Sequence, residues 1–250
     1  AVMGFVNTLN EIMTKEQPTH IAVALDHGKT FRDEAFPQYK AQREETPEDI
    51  RRSVPVIKDI IAAMNIPALQ ADGFEADDII GTLAVKAGGL GVETYMLTPD
   101  KDYGQLVRDN VFIFRPRHGG GYEKMGPKEV CAKYAIDSPQ RVIDLLALMG
   151  DSADNFPGCP GVGEKTAAKL IAQFGDVDNM LDNTADIKGK LREKVETAVD
   201  DIRMSKFLAT IRTDVPIDLD LDSMRLGEPD EQKLREIFNE LEFKTLADKI

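Results

Sequence analysis

Short apolar runs alternate with amphipathic segments over the first half of the chain. The runs are rich in β-branched residues and read as buried strands at Thr19–Leu25, Ile66–Ala71, Val92–Thr98 and Val111–Phe114. The intervening segments repeat apolar residues at helical spacing, as in residues 2–13 and in the stretch after Pro47, where Pro55 is expected to kink or break the helix. Further helices are predicted at 73–88 and, as a short one, at 99–107. Strands that alternate with helices predict an α/β fold with a mostly parallel sheet.

The pattern changes near Pro127, because only helical periodicity follows as far as about Thr210. In the final segment, the pattern predicts a strand at Asp214–Leu221 and a helix at Asp230–Leu241. We therefore expect an α/β domain at 1–126, a helical module at 127–210, and a segment at 211–250 that packs back on the first domain.

Composition is globular and strongly acidic. The 250 residues carry 31 Lys and Arg against 44 Asp and Glu, a net charge of −13, and 42% of them are apolar. This content suits a packed core rather than a disordered chain. The sequence has neither an apolar run long enough to span a membrane nor a signal segment, and its two cysteines fit a reducing cytosol. The negative charge argues against a nucleic-acid partner unless the acids are concentrated in one place.

Acidic residues follow the predicted strands directly. Because ligands of open α/β sheets bind beyond the carboxyl ends of the strands, these side chains are expected at one edge, joined by a pair from the helical module. The predicted cluster is Asp26, Glu75, Asp77, Asp78, Asp100, Asp102, Asp151 and Asp154. So many like charges need cations between them, and carboxylate oxygens favour Mg²⁺ or Mn²⁺. Two such ions are typical of phosphodiester hydrolysis.

Each pair of acids also has a structural interpretation. Asp77 and Asp78 suit the first turn of a helix, while Asp100 and Asp102 suit a turn with an N-cap. Asp151 and Asp154 suit an exposed loop, and a structural Ca²⁺ site stays open although no EF-hand-type loop supports it. The repetition of such pairs at strand ends favours the metal site.

A glycine hairpin in the helical module predicts a phosphate contact. Gly161, Val162 and Gly163 precede a helix that begins near Glu164, so free N–H groups of its first turn can face an anion. Lys165 and Thr166 are expected to add contacts that position a duplex without reading its sequence. A tight turn with glycine chosen for packing is the alternative. A Walker-type loop is excluded, because its lysine spacing is missing.

The stretch from Phe31 to Arg43 interleaves cations with aromatic rings. Arg32, Tyr39, Lys40 and Arg43 are predicted to be exposed, to bind nucleic acid and, for the cations near the metals, to stabilise charge on the scissile phosphate. A solvated amphipathic helix is an equal alternative. His20, His27 and His118 show no metal-ligand spacing.

Several motifs occur in one order along the whole chain. They are GFEADD at 73–78, TPDKD at 98–102, LMGDSADN at 148–155 and PGVGEKTA at 160–167, with TFRDEAFPQYKAQR at 30–43. Together they closely resemble the 5′-nuclease domain family of bacterial DNA polymerase I, in the flap endonuclease superfamily.

The resemblance implies a PIN-like, Rossmann-type α/β domain with a helix–three-turn–helix module. It implies a 5′→3′ exonuclease and 5′ flap endonuclease that uses two or more Mg²⁺ or Mn²⁺ ions on DNA with a flap, nick or RNA primer, in replication and repair. Matched by motif, the eight acids would be metal ligands, and Lys40 and Arg43 would be catalytic. The Gly161–Gly163 hairpin would grip the duplex, with K⁺ on its carbonyls. A polymerase domain would be the covalent partner, the location would be the bacterial cytoplasm, and no membrane would be involved.

One feature of the family pattern is missing from this sequence. The family opens with an apolar strand that ends in Asp-Gly, whereas this chain begins at the following helix. A truncated fragment with weak or no nuclease activity is therefore expected. A non-catalytic DNA-binding module is the alternative, and an RNA-cleaving PIN nuclease is a third interpretation that would not need the hairpin.

Overall fold

The computed structural model describes residues 1–250 and divides into two compact units. Unit 1 comprises Ala1–Asp26, Glu44–Gln70 and Asp218–Ile250, and unit 2 comprises His27–Arg43 and Ala71–Ile217. The helices are α1 Val2–Lys15, α2 Phe31–Ala35, α3 Glu48–Ala63, α4 Ala76–Gly89, α5 Pro127–Tyr134, α6 Val142–Met149, α7 Glu164–Phe174, α8 Val177–Asp182, α9 Lys190–Thr197, α10 Val199–Ala209, α11 Leu221–Met224, α12 Glu231–Glu240 and α13 Lys244–Ala247. The strands are β1 Val23–Ala24, β2 Ala68–Leu69, β3 Thr94–Leu97, β4 Val111–Pro116 and β5 Tyr122–Met125.

Unit 1 is built around the apolar stripes of α1, α3 and α12. Val6, Ile60, Ile61 and Phe238 are all buried in its core. The parallel pair of β1 and β2 is short, because the backbone of residues 19–21 bonds instead to residues 224–226. The predicted strand at Thr19–Leu25 is therefore reduced to two residues.

The sheet of unit 2 holds three strands in the order β3, β4, β5. β3 and β4 are parallel, and β4 and β5 are antiparallel. β5 was not predicted. It follows a turn of three glycines with positive φ, Gly119 to Gly121, which returns the chain beside β4. With parallel pairs and many helices, the predicted α/β class is confirmed.

The helical part of unit 2 packs α6 against α10. Five of the eight residues of α6 are buried apolar side chains, and Ile202 and Leu208 of α10 are buried in the same cluster. The predicted helices over 127–210 are all present, and α8 is an additional one. This apolar packing stabilises α6, from which the loops at 150–163 lead to α7.

Three local predictions differ from the structure. Only Phe31–Ala35 of the 30–45 stretch is helical, and turns follow. Residues 214–220 form no strand. α3 runs through Pro55 without ending, so the helix is not broken there, and the predicted kink stays a prediction. The predicted division at 126 and 210 stays a prediction, since the two units follow different limits. No helix has the length and apolarity to cross a membrane.

Candidate metal and nucleic-acid site

The acids of unit 2 are placed by helix starts and one closed loop. Glu75 is the N-cap of α4, with Asp77 and Asp78 in its first turn. Asp100 caps the 3-10 helix Lys101–Leu106 by accepting a hydrogen bond from the Asp102 N–H. The cap interpretation is therefore confirmed for Asp100 and for the first turn of α4. The metal site stays a prediction, since a capping carboxylate still has free lone pairs.

Asp151 and Asp154 lie in a loop that is closed by paired backbone hydrogen bonds between Asp151 and Phe156. The Asp151 carboxylate accepts from the N–H groups of Ala153 and Asp154. The loop depends on two glycines. Gly150 and Gly158 have φ of 68° and 60°, and a Cβ on Gly158 would lie 2.2 Å from the Gly150 nitrogen. No other residue fits this backbone contact, which fixes both ends of the acidic loop.

Three of these carboxyls, those of Asp77, Asp102 and Asp154, have raised pKa values, and burial is the main cause at each. Burial, followed by the charges of Asp100 and Asp151, raises the pKa of Asp102 to about 7. Burial also raises the pKa of Asp77 to about 6, although a hydrogen bond from Tyr103 opposes the shift. Glu75 and Asp100 contribute to the shift at Asp77. The acids are therefore close enough to penalise one another's ionisation, as expected where cations are absent.

The donor set fits a hard cation. Asp102 Oδ1 is buried without a hydrogen-bond partner, an arrangement that is costly for a carboxylate unless a cation or proton compensates it. As the side chains stand, however, no group of three or more His, Cys, Asp or Glu is assembled at ligand distances. The structure therefore has the type of oxygen donors that a hard cation needs, but they are not arranged as a complete set of ligands.

Asp78 differs from the other acids, because it is fully buried and all of its bonds are internal. Its Oδ1 accepts from Arg32 Nη2 at 2.9 Å and from the Arg212 N–H at 2.8 Å. Its Oδ2 accepts from Arg32 Nη1 at 2.8 Å and from the Glu75 N–H at 3.0 Å. With its lone pairs occupied in this way, Asp78 stabilises the fold. The prediction that Asp78 is a metal ligand is therefore corrected.

Arg32 also departs from the prediction. Only 2% of this residue is exposed, so it is not one of the exposed cations expected to bind nucleic acid. The remaining bonds of its guanidinium go to Glu75 Oε2 at 2.7 Å and to the carbonyls of Leu208 and Thr210 at 2.8 and 2.7 Å. Arg32 therefore links α2, α4 and the end of α10.

The segment Tyr39–Arg43 lies against the acids as predicted, although in turns rather than in a helix. Tyr39 is 6% exposed, and its hydroxyl donates to Glu75, so its ring is not available for the predicted base stacking. Lys40 pairs with Glu75, and Arg43 pairs with Asp154. The Lys40 N–H also bonds to the Asp154 carbonyl at 2.9 Å. Two cations thus stand directly beside the acidic cluster.

The predicted hairpin precedes α7, with Gly163 as the N-cap. Gly161 has φ +80°, a left-handed conformation that favours glycine. Gly163 is extended, and a Cβ there would meet nothing within 4 Å. Packing inside the protein therefore does not require glycine at 163, and the predicted close approach of a partner there stays a prediction.

Within the hairpin, Val162 contradicts its predicted contact. The residue is 5% exposed and belongs to the core, and its N–H donates to the Cys159 carbonyl at 3.1 Å. Lys165 is exposed and Thr166 is half-buried in the first turn of α7. The free N–H groups of that turn remain available to an anion.

Asp26 belongs to unit 1, where it follows β1 and is exposed. Its carbonyl accepts from Gln70 Nε2 at 3.3 Å. The acids that the structure brings together are thus those of unit 2.

Two tyrosines near the acids were missed by the sequence reasoning. Tyr103 donates to Asp77, and its position directly after the TPDKD motif was the available signal. The hydroxyl of Tyr134 is buried without a partner, and burial with the charge of Asp102 raises its pKa to about 12. No sequence signal marked Tyr134, because α5 is remote from the acidic motifs along the chain.

Comparisons with known proteins agree with this geometry. Residues 1–135 match the family profile of the 5′-3′ exonuclease N-terminal resolvase-like domain, and residues 137–232 match that of the 5′-3′ exonuclease C-terminal SAM fold. DNA polymerase I of Bacillus caldotenax is 42% identical over all of this chain, and that of Bacillus subtilis is 41% identical. The chain spans 29% of the length of these relatives.

Two solved structures of other proteins share the fold. T5 5′-exonuclease with bound divalent metal ions (zinc) aligns with a TM-score of 0.73 at 22% identity, covering 95% of this chain and 90% of that one. The catalytic core of Rad2 in complex with a DNA substrate aligns with a TM-score of 0.66 at 15% identity, covering 96% and 79%. At these identities the likeness shows the fold alone.

Proposed function

The chain belongs to the 5′-3′ exonuclease family, and from that premise we propose that it is a metal-dependent phosphodiesterase acting on DNA with 5′ flaps, nicks or RNA primers. The observation that carries this proposal is the joint placement of Asp77, Asp102 and Asp154 with the cations Lys40 and Arg43. Mutually repelling carboxylates favour divalent ions, and adjacent cations favour a phosphate. In the relatives a polymerase accompanies this part, and a polymerase region of the same protein is the proposed partner.

The metal ligands would come from the acids that keep free oxygens. These are Asp77, Asp100, Asp102, Asp151 and Asp154, joined by Glu75 once Lys40 leaves it for the substrate, with Asp26 as a proposed further ligand. When bound, two Mg²⁺ or Mn²⁺ ions would activate water and stabilise charge at phosphorus. Asp102 supplies the unpartnered oxygen Oδ1. Tyr103 holds the Asp77 carboxyl in place through its hydroxyl.

The cations bind and orient the substrate in this proposal. Lys40 and Arg43 are now paired with Glu75 and Asp154, which keeps them at the acids before substrate arrives. The phosphate oxygens of a bound substrate would replace Glu75 and Asp154 as the partners of Lys40 and Arg43. The two carboxylates would then be free to bind the metal ions. The hairpin would hold the duplex away from the reaction, with K⁺ as a proposed ligand of its carbonyls.

A cleavage assay on a labelled 5′-flap DNA tests the proposal. We expect weak cleavage in Mg²⁺ or Mn²⁺, none in EDTA, and a further large loss in Asp102→Ala. The matched control is Asp109→Ala, because Asp109 is exposed and outside the cluster. Cleavage that persists in Asp102→Ala, or that needs no divalent ion, would overturn the proposal.

A non-catalytic DNA-binding module is the second candidate. Its support is that no group of three ligands stands assembled in the structure and that Lys40 and Arg43 already neutralise two acids. That function predicts duplex binding without cleavage and no stoichiometric uptake of Mn²⁺. Mn²⁺ titration followed by electron paramagnetic resonance separates the two candidates, since the nuclease must bind the ion.

A further inference from the structure

Lys194 of α9 lies directly beside the hairpin. Its Nζ, Cε and Cδ atoms are 3.0, 3.7 and 3.9 Å from the position that a Cβ on Gly161 would occupy. The side chain thus runs along the backbone of Gly161 and brings its ammonium to the hairpin. A positive charge therefore lies beside the hairpin that leads into α7.

This ammonium has no acidic partner. Lys194 and Lys190 are both exposed, and no ion pair or hydrogen bond of either side chain is present. They are four residues apart on α9, so they share one face at about 6 Å separation along the axis. Arg192, between them in sequence, points to another face and is bonded to Glu196 at 2.8 Å.

Unpaired lysines are notable in a chain of net charge −13, because most cations near the acidic cluster are already paired. A row of free ammonium groups that continues from a glycine hairpin complements a row of phosphates. A single strand is a poorer partner, since neither Lys190 nor Lys194 makes a cation–π contact with a ring that could stack on a base.

We propose that Lys194 and Lys190 extend the Gly161–Gly163 hairpin into a continuous surface that binds the phosphate backbone of duplex DNA. Lys194 shares the phosphate that the hairpin N–H groups hold, and Lys190 binds a neighbouring one. The inference rests on the proposed function, since it assumes that the hairpin meets a DNA duplex. The contact is independent of base sequence.

Salt-dependent binding tests it without any cleavage. Fluorescence anisotropy with a blunt 20-base-pair duplex in EDTA, over a salt series, gives the slope of log K against log salt. Each phosphate contact that is lost should reduce this slope by about 0.9. We expect that reduction in Lys194→Ala and in Lys190→Ala, and recovery of the slope in Lys194→Arg. Thermal melting confirms that the variants are folded.

Arg192→Ala is the matched control, because it removes the same charge from another face of the same helix. A slope change in Lys194→Ala no larger than in Arg192→Ala would overturn the inference. If flap cleavage by the native chain is normal in that case, the proposed nuclease function stands and only the extended surface fails. If the native chain cleaved flaps normally but bound no duplex, the proposed phosphate-binding surface would also be ruled out.

Discussion

Arg32 and Asp78 form a buried pair joined by two hydrogen bonds of 2.8 and 2.9 Å. Every N–H of the guanidinium has an acceptor, since three further bonds go to Glu75 and to the carbonyls of Leu208 and Thr210. Such a pair is costly to break, because the partner that remains is a buried charge without compensation. The pair also holds Glu75, one of the proposed metal ligands.

Arg32→Ala should therefore destabilise the fold. We expect a loss of about 3–5 kcal/mol in the free energy of unfolding, measured by urea denaturation. Arg203→Ala, at an exposed arginine of the same unit, is the control and should change stability by less than about 0.5 kcal/mol. Equal stability of the two variants would contradict the structural role of Arg32.

Substitution of glycine should have different effects in the two loops of the helical part, at Gly158 and at Gly163. Gly158→Ala places a methyl group within 2.2 Å of the Gly150 nitrogen and should greatly lower the melting temperature. Gly163→Ala meets nothing within 4 Å and should melt nearly as the native chain does, while it weakens duplex binding. A Gly163→Ala variant that binds DNA normally would argue against close approach of the backbone to phosphate there.

The stability of the metal-free chain should fall as the pH rises from about 4 to about 7. The folded pKa of Asp102 is about 7, above its ordinary value of 3.8. A raised pKa means that the protonated carboxyl stabilises the folded state at low pH, and this contribution is lost as the pH rises through 7. Melting in EDTA should show this slope, and Asp102→Asn should reduce it.

Mg²⁺ gives the complementary test at pH 8, where these carboxyls are ionised. Because an ion that binds only the folded state stabilises it, the native melting temperature should rise with Mg²⁺. The rise should be smaller in Asp102→Asn. An identical response of both chains would remove Asp102 from the proposed ligands.

Arg43→Ala should reduce cleavage without unfolding the chain. Arg43 is exposed and pairs with Asp154, so its loss leaves the core intact. If it stabilises charge at the scissile phosphate, the rate should fall by about 10²-fold or more. The check is single-turnover cleavage at saturating enzyme, with Arg235→Ala as an exposed control. A normal rate would show that Arg43 only neutralises Asp154.

The sequence predicted where residues lie on the strands and helices better than it predicted which groups their side chains contact. Asp100 and Asp102 could be placed because a strand end and a helix start are both local features of the pattern. The burial of Arg32 could not be predicted, because its acceptors at Leu208 and Thr210 are about 176 residues away in the chain. Val162 was misjudged for a related reason: an apolar residue between two glycines can face a partner or the core, and only packing decides.

The division of the chain also has a consequence for the order of folding during synthesis. Unit 2 has all of its residues once Ile217 has been made, whereas unit 1 includes Ala1–Asp26 and Asp218–Ile250 and so needs both ends. Domains generally fold as units while the chain grows from its N-terminus. α1 and α3 can therefore pack together early, but the core that they share with α12 is completed only after the end of the chain has been made.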